Sequence, residues 1–90
     1  MARRRIGGPI TELQTVDLDT VTTTGTYLQP GNAFAKESPN HPCGMAGMLE
    51  VTASNVFVFQ RYTAYESNGI YTRSYAPWKK WEPWKRIVTA

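Results

Sequence analysis

The side chains from Gly47 to Ala53 repeat with a period of two, and this feature constrains the fold more than any other. Leu49 and Val51 fall on one face of an extended chain, while Glu50 and Thr52 fall on the other. A helix would distribute these residues around its axis, whereas a strand with one buried face requires this arrangement. The segment therefore predicts a half-buried β-strand.

Three further segments predict an antiparallel meander around this strand. Val56 to Tyr65 is rich in β-branched and aromatic residues, and its first four residues are apolar on both faces. That composition favours a central strand, or one covered by a second subunit. Asn68-Gly69 tolerates the positive φ angles of a hairpin turn, so Ile70 to Tyr75 should pair back antiparallel. A last short strand is predicted at Trp84 to Val88.

The N-terminal half has weaker patterns and divides into three parts. Residues 1–15 lack periodicity and predict an arm that is disordered or ordered only by a partner. The domain proper is expected over residues 16–90. In it, Asp17 should cap a short helical turn that directs Leu18 and Val21 inward, and Tyr27-Leu28 should form a brief strand. Residues 30–46, rich in Pro, Gly and Asn, predict a long loop.

Length and composition exclude several classes of protein. The chain has 90 residues and one cysteine, so it forms one small domain without an intrachain disulfide. No apolar run approaches the roughly 20 residues of a membrane span. Arg3, Arg4 and Arg5 account for the net charge of +3, which weakens the case for a basic nucleic-acid-binding face. Glycines and a proline follow them, which argues against an export signal and predicts synthesis in a cytoplasm.

Six short segments, read together, identify a family resemblance over about residues 17–88. They are Asp17-Leu18-Asp19-Thr20, Gly25-Thr26-Tyr27, Gly47-x-Leu49-x-Val51, Gln60-Arg61-Tyr62, Tyr71-Thr72-Arg73 and Trp81-Glu82-Pro83-Trp84. Their order and spacing resemble the pyocin-knob type of domain, found near the tips of phage tail fibres and of the fibres of phage-tail-like bacteriocins. The resemblance implies a trimeric, mostly β knob on a virus particle, with a role in host attachment. Asp19 stands where the family usually has asparagine, and Trp78 is additional to the family's tryptophan pair.

This resemblance and the residue pattern together predict three sets of site residues. The ligand-binding set combines aromatic faces with basic groups suited to sugar rings or unpaired bases, and it comprises Trp78, Lys79, Lys80 and Tyr75. Phe57 and Phe59 are predicted at the interface of a homotrimer. The N-terminal arm should attach the subunit to other virion proteins through Arg3, Arg4, Arg5 and Ile6. Trp81 and Trp84 are assigned to the core.

No enzyme, metal site or cofactor is expected. His41 is the only histidine and lies in the proline-rich loop, and Cys43 has no activating partner in the sequence. Together they offer two metal ligands, whereas a structural zinc site generally needs four. Symmetry could still bring three copies of His41 together around an ion.

The expected function is a non-enzymatic virion protein of tail-fibre-knob type that contributes to binding a host-surface glycan or protein. Decoration of the head or collar of the virion is an alternative that the sequence leaves open. A small β-barrel that binds single-stranded nucleic acid is a second alternative, supported by the aromatic and basic C-terminus. An inhibitor or adaptor that binds through the 30–46 loop is a third.

Overall fold

The computed structural model describes residues 10–66 and 69–87, which form one β-sheet, a 3₁₀ turn and a short helix. The strands are β1 (Ile10–Glu12), β2 (Gly25–Gln29), β3 (Gly47–Ala53), β4 (Val58–Ala64), β5 (Ile70–Ala76), β6 (Lys80–Trp81) and β7 (Lys85–Ile87); the helix α1 is Asn32–Glu37. The predicted mostly β fold is confirmed. Among the described residues, no helix is long and apolar enough to span a membrane.

The sheet is built around the predicted meander. Its order is β1-β2-β3-β4-β5, and both β6 and β7 pair with the outer edge of β5. All pairs are antiparallel except β1 with β2, which run parallel. Strand β4 therefore lies inside the sheet between β3 and β5, which is one of the two arrangements that its apolar start predicted. Of the predicted hairpin turn, Asn68 lies outside the described residues, as does Val88 at the end of the last predicted strand.

Strand β4 begins two residues later than its apolar run because a side chain closes a turn ahead of it. The Ser54 hydroxyl oxygen accepts hydrogen bonds from the backbone N–H groups of Val56 and Phe57, at 3.1 and 2.9 Å. The Ser54 N–H also donates to the Phe57 carbonyl at 2.8 Å. Phe57 consequently sits at the entrance to β4, at one end of the sheet.

The N-terminal half contains more regular structure than its sequence pattern indicated. Strand β1 lies within the predicted arm, and Leu13 just after it is buried in the core. Its N–H donates to the Leu28 carbonyl at 2.7 Å, which fastens the segment beside β2. The predicted loop over 30–46 contains α1, whose six residues are too few to show a helical period. The predicted capped turn is confirmed: Asp17 accepts from the Asp19 N–H at 2.9 Å.

The sheet has one covered face and one open face. The covered face is packed by the segment that runs from β1 through the 3₁₀ turn, and its buried apolar residues are Leu13, Leu18, Val21, Leu49, Val51, Val58 and Tyr62. The open face carries the alternate residues of β3 and β4, including Glu50, Phe59 and Arg61. One-sided burial is what the period of two in β3 predicted.

A one-residue bulge separates β6 from β7 along the edge of β5. Tyr75 pairs with Trp81, and Thr72 pairs with Lys85, so Glu82, Pro83 and Trp84 stand opposite only Arg73 and Ser74. In a regular strand, residues three apart point to opposite faces. The extra residue restores Trp84 to the side of Trp81, so both indoles lie on the covered face.

Candidate functional site

Three aromatic side chains cluster at the end of the open face where β4 begins. Phe57, Phe59 and Trp78, which we call the aromatic patch, are 39%, 50% and 72% exposed. The ring centroids of Phe57 and Phe59 lie 6.0 Å apart, and those of Phe57 and Trp78 lie 5.6 Å apart with an edge-on geometry. Small domains rarely expose contiguous apolar surface without a use for it, so this patch is a candidate contact site.

Local structure directs each of these rings outward. Phe59 lies between the buried residues Val58 and Gln60 on β4, so the pleat sends it to the open face. Trp78 lies in the tight turn between β5 and β6, which a hydrogen bond from the Lys79 N–H to the Ala76 carbonyl closes at 3.1 Å. The residue predicted to bind ligand therefore touches a residue predicted to form the oligomer interface.

A pair of opposite charges lies beside the aromatic patch on the open face. Glu50 and Arg61 stand directly opposite each other in the β3–β4 register. Their nearest polar atoms are 3.9 Å apart, and both side chains are more than half exposed. With Thr52, Thr72 and Ser74 they line a shallow groove beside Phe59. The open face thus combines aromatic surface with both signs of charge.

The other predicted ligand residues do not gather around Trp78. Lys79 reaches Ser74 and Glu82, with Nζ 3.3 Å from each side-chain oxygen. Although burial opposes it, hydrogen bonds from Lys79 and Ser74 hold the pKa of the Glu82 carboxyl below its ordinary value. Lys80 is exposed, with a positive φ of 63°. Tyr75 is half-buried and packs against Trp81 on the covered face, with ring centroids 5.4 Å apart.

The covered face contains a buried arginine that the site predictions did not include. The Arg73 guanidinium lies 3.9 Å from the ring centroid of Trp81 and 4.6 Å from that of Trp84. Its Nη1 is 2.9 Å from the Asp19 carboxylate, and its Nε donates to Gln60 Oε1 at 2.8 Å. Burial lowers the pKa of Arg73 and the Asp19 carboxylate opposes that shift, so the group stays charged.

This buried arginine connects the sheet to the segment that covers it. The Gln60 amide nitrogen donates to the carbonyls of Leu18 and Val21, at 2.8 and 2.9 Å, and so extends the network into the 3₁₀ turn. The ion pair with Asp19 and the hydrogen bonds of Gln60 partner most of this network, while Arg73 Nη2 has no hydrogen-bond partner among the described residues. Arg73 is therefore a structural residue, and the signal for it was the Tyr71-Thr72-Arg73 segment within the family resemblance.

His41 and Cys43 belong to a structural turn. His41 Nδ1 accepts hydrogen bonds from the N–H groups of Cys43 and Gly44, at 3.3 and 2.9 Å, and its ring packs edge-on against Tyr62. Burial lowers the pKa of His41 to about 4 and raises the pKa of the Cys43 thiol. Both groups are neutral near pH 7. No group of three His, Cys, Asp or Glu residues within 10–66 and 69–87 is placed to hold a metal ion.

Solved structures show what this architecture is similar to. The chain matches an R2-type pyocin tail fibre at 36% identity over 88% of its length, with a TM-score of 0.82. An R2 pyocin fibre of P. aeruginosa matches at 35% identity over 99% of the chain, with a TM-score of 0.83. An R1 pyocin fibre of P. aeruginosa matches at 27% identity over 88% of the chain, with a TM-score of 0.78.

The similarity to a pyocin tail-fibre domain that the sequence motifs predicted is therefore confirmed. The chain covers 32%, 26% and 21% of those three fibre chains, so it corresponds to one part of each. No family model matches the chain, and no curated protein sequence matches it.

Proposed function

We propose that this protein is a non-enzymatic structural component of a virion or phage-tail-like particle, acting as a tail-fibre knob that contributes to host attachment. The main support is the similarity to pyocin tail fibres at 35–36% identity and a TM-score above 0.8. The open, partly aromatic face adds support from the chain itself, because a subunit of a larger assembly needs surface to bury.

The assembly proposed is a homotrimer with Phe57 and Phe59 in its interface. The core on the covered face is small, and a chain of 90 residues buries a modest share of its surface on folding. Burial of apolar surface stabilises by roughly 25 cal/mol per Å², so covering two exposed phenylalanines offsets the small core. Association of folded chains then adds to the stability of each one.

Two further contacts are proposed beyond the trimer. The arm residues Arg3, Arg4, Arg5 and Ile6, which lie outside the described residues, are proposed to join it to other virion proteins. At the β5–β6 turn, the basic residues Lys79 and Lys80 are proposed to meet a host-surface glycan or protein. Trp78 and Tyr75 differ from them, since Trp78 packs against Phe57 and Tyr75 packs against Trp81.

Light scattering of the native protein over a concentration series tests the assembly. The expected mass is about three times that of one chain, 10.1 kDa. Phe59→Asp should reduce it to one chain while leaving the circular dichroism spectrum unchanged, because Phe59 is half exposed in the isolated subunit. Tyr65→Asp is the control, as Tyr65 is exposed at the opposite end of β4. A wild-type monomer at all concentrations would contradict the trimer.

A position on the head or collar of the virion is the alternative to a tail fibre. The exposed face and the fold suit both positions, but the similar structures are tail fibres. Chemical cross-linking of the arm to its neighbour in intact particles separates the two. A cross-link to a tail or baseplate protein supports the fibre, and one to a capsid or collar protein supports the alternative.

A further inference from the structure

Two neighbouring residues of the open face have different predicted functions. Trp78 was predicted to bind ligand and Phe57 to form an interface, yet the two rings are in edge-on contact at 5.6 Å. A partner that covers Phe57 must also reach Trp78. The two predictions therefore concern one surface with one occupant.

The charges on this face indicate what that occupant is. Glu50 and Arg61 are cross-strand neighbours, but the 3.9 Å between their polar atoms is long for an ion pair and both side chains remain more than half exposed. Such a pair contributes little within one chain. A surface that holds an acid and a base side by side is complementary to a surface with the same two groups, which a second copy supplies.

We propose that a second copy of this chain covers the open face, with the aromatic patch at the centre of the contact. Glu50 of one copy pairs with Arg61 of the next, and Trp78 acts in assembly and not as a ligand residue. This inference rests on the proposed assembly and adds its location. A sugar ligand would explain the exposed Trp78, but it gives no role to the opposite charges beside it.

Charge reversal at the two positions tests the pairing. Glu50→Arg and Arg61→Glu each place like charges in the contact. Each should raise the protein concentration at which half of the chains are assembled by at least about tenfold. The double variant, Glu50→Arg with Arg61→Glu, restores opposite charges and should recover most of the wild-type assembly. Analytical ultracentrifugation gives the masses, and urea unfolding of dissociated samples checks that each variant folds.

The outcomes separate this inference from the proposed function. If the wild type assembles and both single reversals assemble equally well, the open face is not the contact and this inference is overturned, while the trimer stands. If the single reversals dissociate and the double variant does not recover, the pairing of Glu50 with Arg61 of the next copy is wrong. If the wild type is a monomer throughout, the proposed trimer itself fails.

Trp78→Ala provides a second test with a closely matched control. Trp78 is 72% exposed and Tyr65 is 73% exposed, but they lie at opposite ends of β4. Truncating a tryptophan at the centre of a contact should weaken assembly at least about tenfold, whereas Tyr65→Ala should leave it unchanged. Equal effects of the two substitutions, or no effect of Trp78→Ala, would remove Trp78 from the interface.

Discussion

The two faces of the sheet use the same kinds of residue in opposite ways. On the covered face, Arg73 is 5% exposed, lies 2.9 Å from a carboxylate oxygen of Asp19 and stacks on two indoles. On the open face, Arg61 is largely exposed, lies 3.9 Å from Glu50 and has aromatic neighbours that remain in solvent. One arginine organises the fold, and the other contributes little to the isolated chain.

The difference follows from what lies above each face and not from residue type. The segment from β1 to the 3₁₀ turn covers Arg73 and provides Asp19, so its charge is desolvated and paired at once. Nothing in the described residues covers Arg61, so its pair remains hydrated and weak. The face on which a tryptophan or an arginine lies therefore decides whether its side chain is buried in the fold or left exposed for the proposed interface.

The largest difference between the faces should appear when Arg73 is removed. Arg73→Ala separates Asp19 and Gln60 from their shared partner and leaves Trp81 and Trp84 without the group between them. We expect the free energy of unfolding to fall by about 3 kcal/mol, the lower end of the range for breaking a buried ion pair, because Asp19 regains some solvent. Urea denaturation measures this, and a loss below about 1 kcal/mol would contradict the central role of Arg73.

Tryptophan truncations on the two faces should differ next most. Trp81→Ala removes contacts with Arg73 and Tyr75, and should destabilise the dissociated chain by about 2–3 kcal/mol, less than for a fully buried indole. Trp78→Ala should change the free energy of unfolding of the dissociated chain by about 0.5 kcal/mol or less. Thermal unfolding at a concentration where the chains are dissociated measures the loss of stability in each variant. Similar losses for Trp81→Ala and Trp78→Ala would show that the difference in exposure does not determine their contributions to stability.

Acid should loosen the covered face through His41. The pKa of His41 is about 4 in the folded chain, below its ordinary 6.5. The unfolded chain therefore binds more protons between pH 6.5 and 4, and stability falls as the pH is lowered through this window. The expected loss is about 1–2 kcal/mol after allowance for partial exposure.

A non-titrating variant provides the control for this pH effect. In His41→Asn, the amide oxygen can accept the N–H groups of Cys43 and Gly44 but takes up no proton. Urea unfolding at several pH values should show a smaller slope between pH 6.5 and 4 for the variant. Equal slopes for the two proteins would assign the acid sensitivity to the carboxylates and not to His41.

The smallest effect is expected for Arg61→Ala in the dissociated chain. Its partner Glu50 remains hydrated, so the free energy of unfolding should change by no more than about 0.5 kcal/mol. Urea denaturation of Arg61→Ala and Arg73→Ala under the same conditions compares the contributions of the two arginines to the free energy of unfolding. A loss comparable with that of Arg73→Ala would mean that the open face stabilises the monomer.

The meander could be predicted from sequence because its signals are local. The period of two in β3 and the turn residues before β5 act over a few positions, and the Asp17 cap acts over two residues. Strand β1 could not be found in this way, because its three residues gain their structure from parallel pairing with β2 residues sixteen positions later in the chain. Helix α1 is a single short run inside a segment dominated by turn residues.

The sites were predictable only in part, since they depend on which face each residue reaches. The spacing of Trp81 and Trp84 places them on opposite faces of a regular strand, and the bulge that brings them together leaves no recognisable pattern. The Arg73 network joins residues from distant parts of the chain, which periodicity cannot relate. The exposure of Phe59, in contrast, follows from its alternation with buried neighbours in β4.

The bulge between β6 and β7 has a further consequence for solubility. An unbroken outer strand would offer a row of free backbone groups on which another sheet could grow, a common route to aggregation. Here Pro83 lacks an N–H group, the bulge interrupts the line of the edge, and charged Lys80, Lys85 and Arg86 lie along it. This edge of the sheet is therefore protected against pairing with the edge of another sheet.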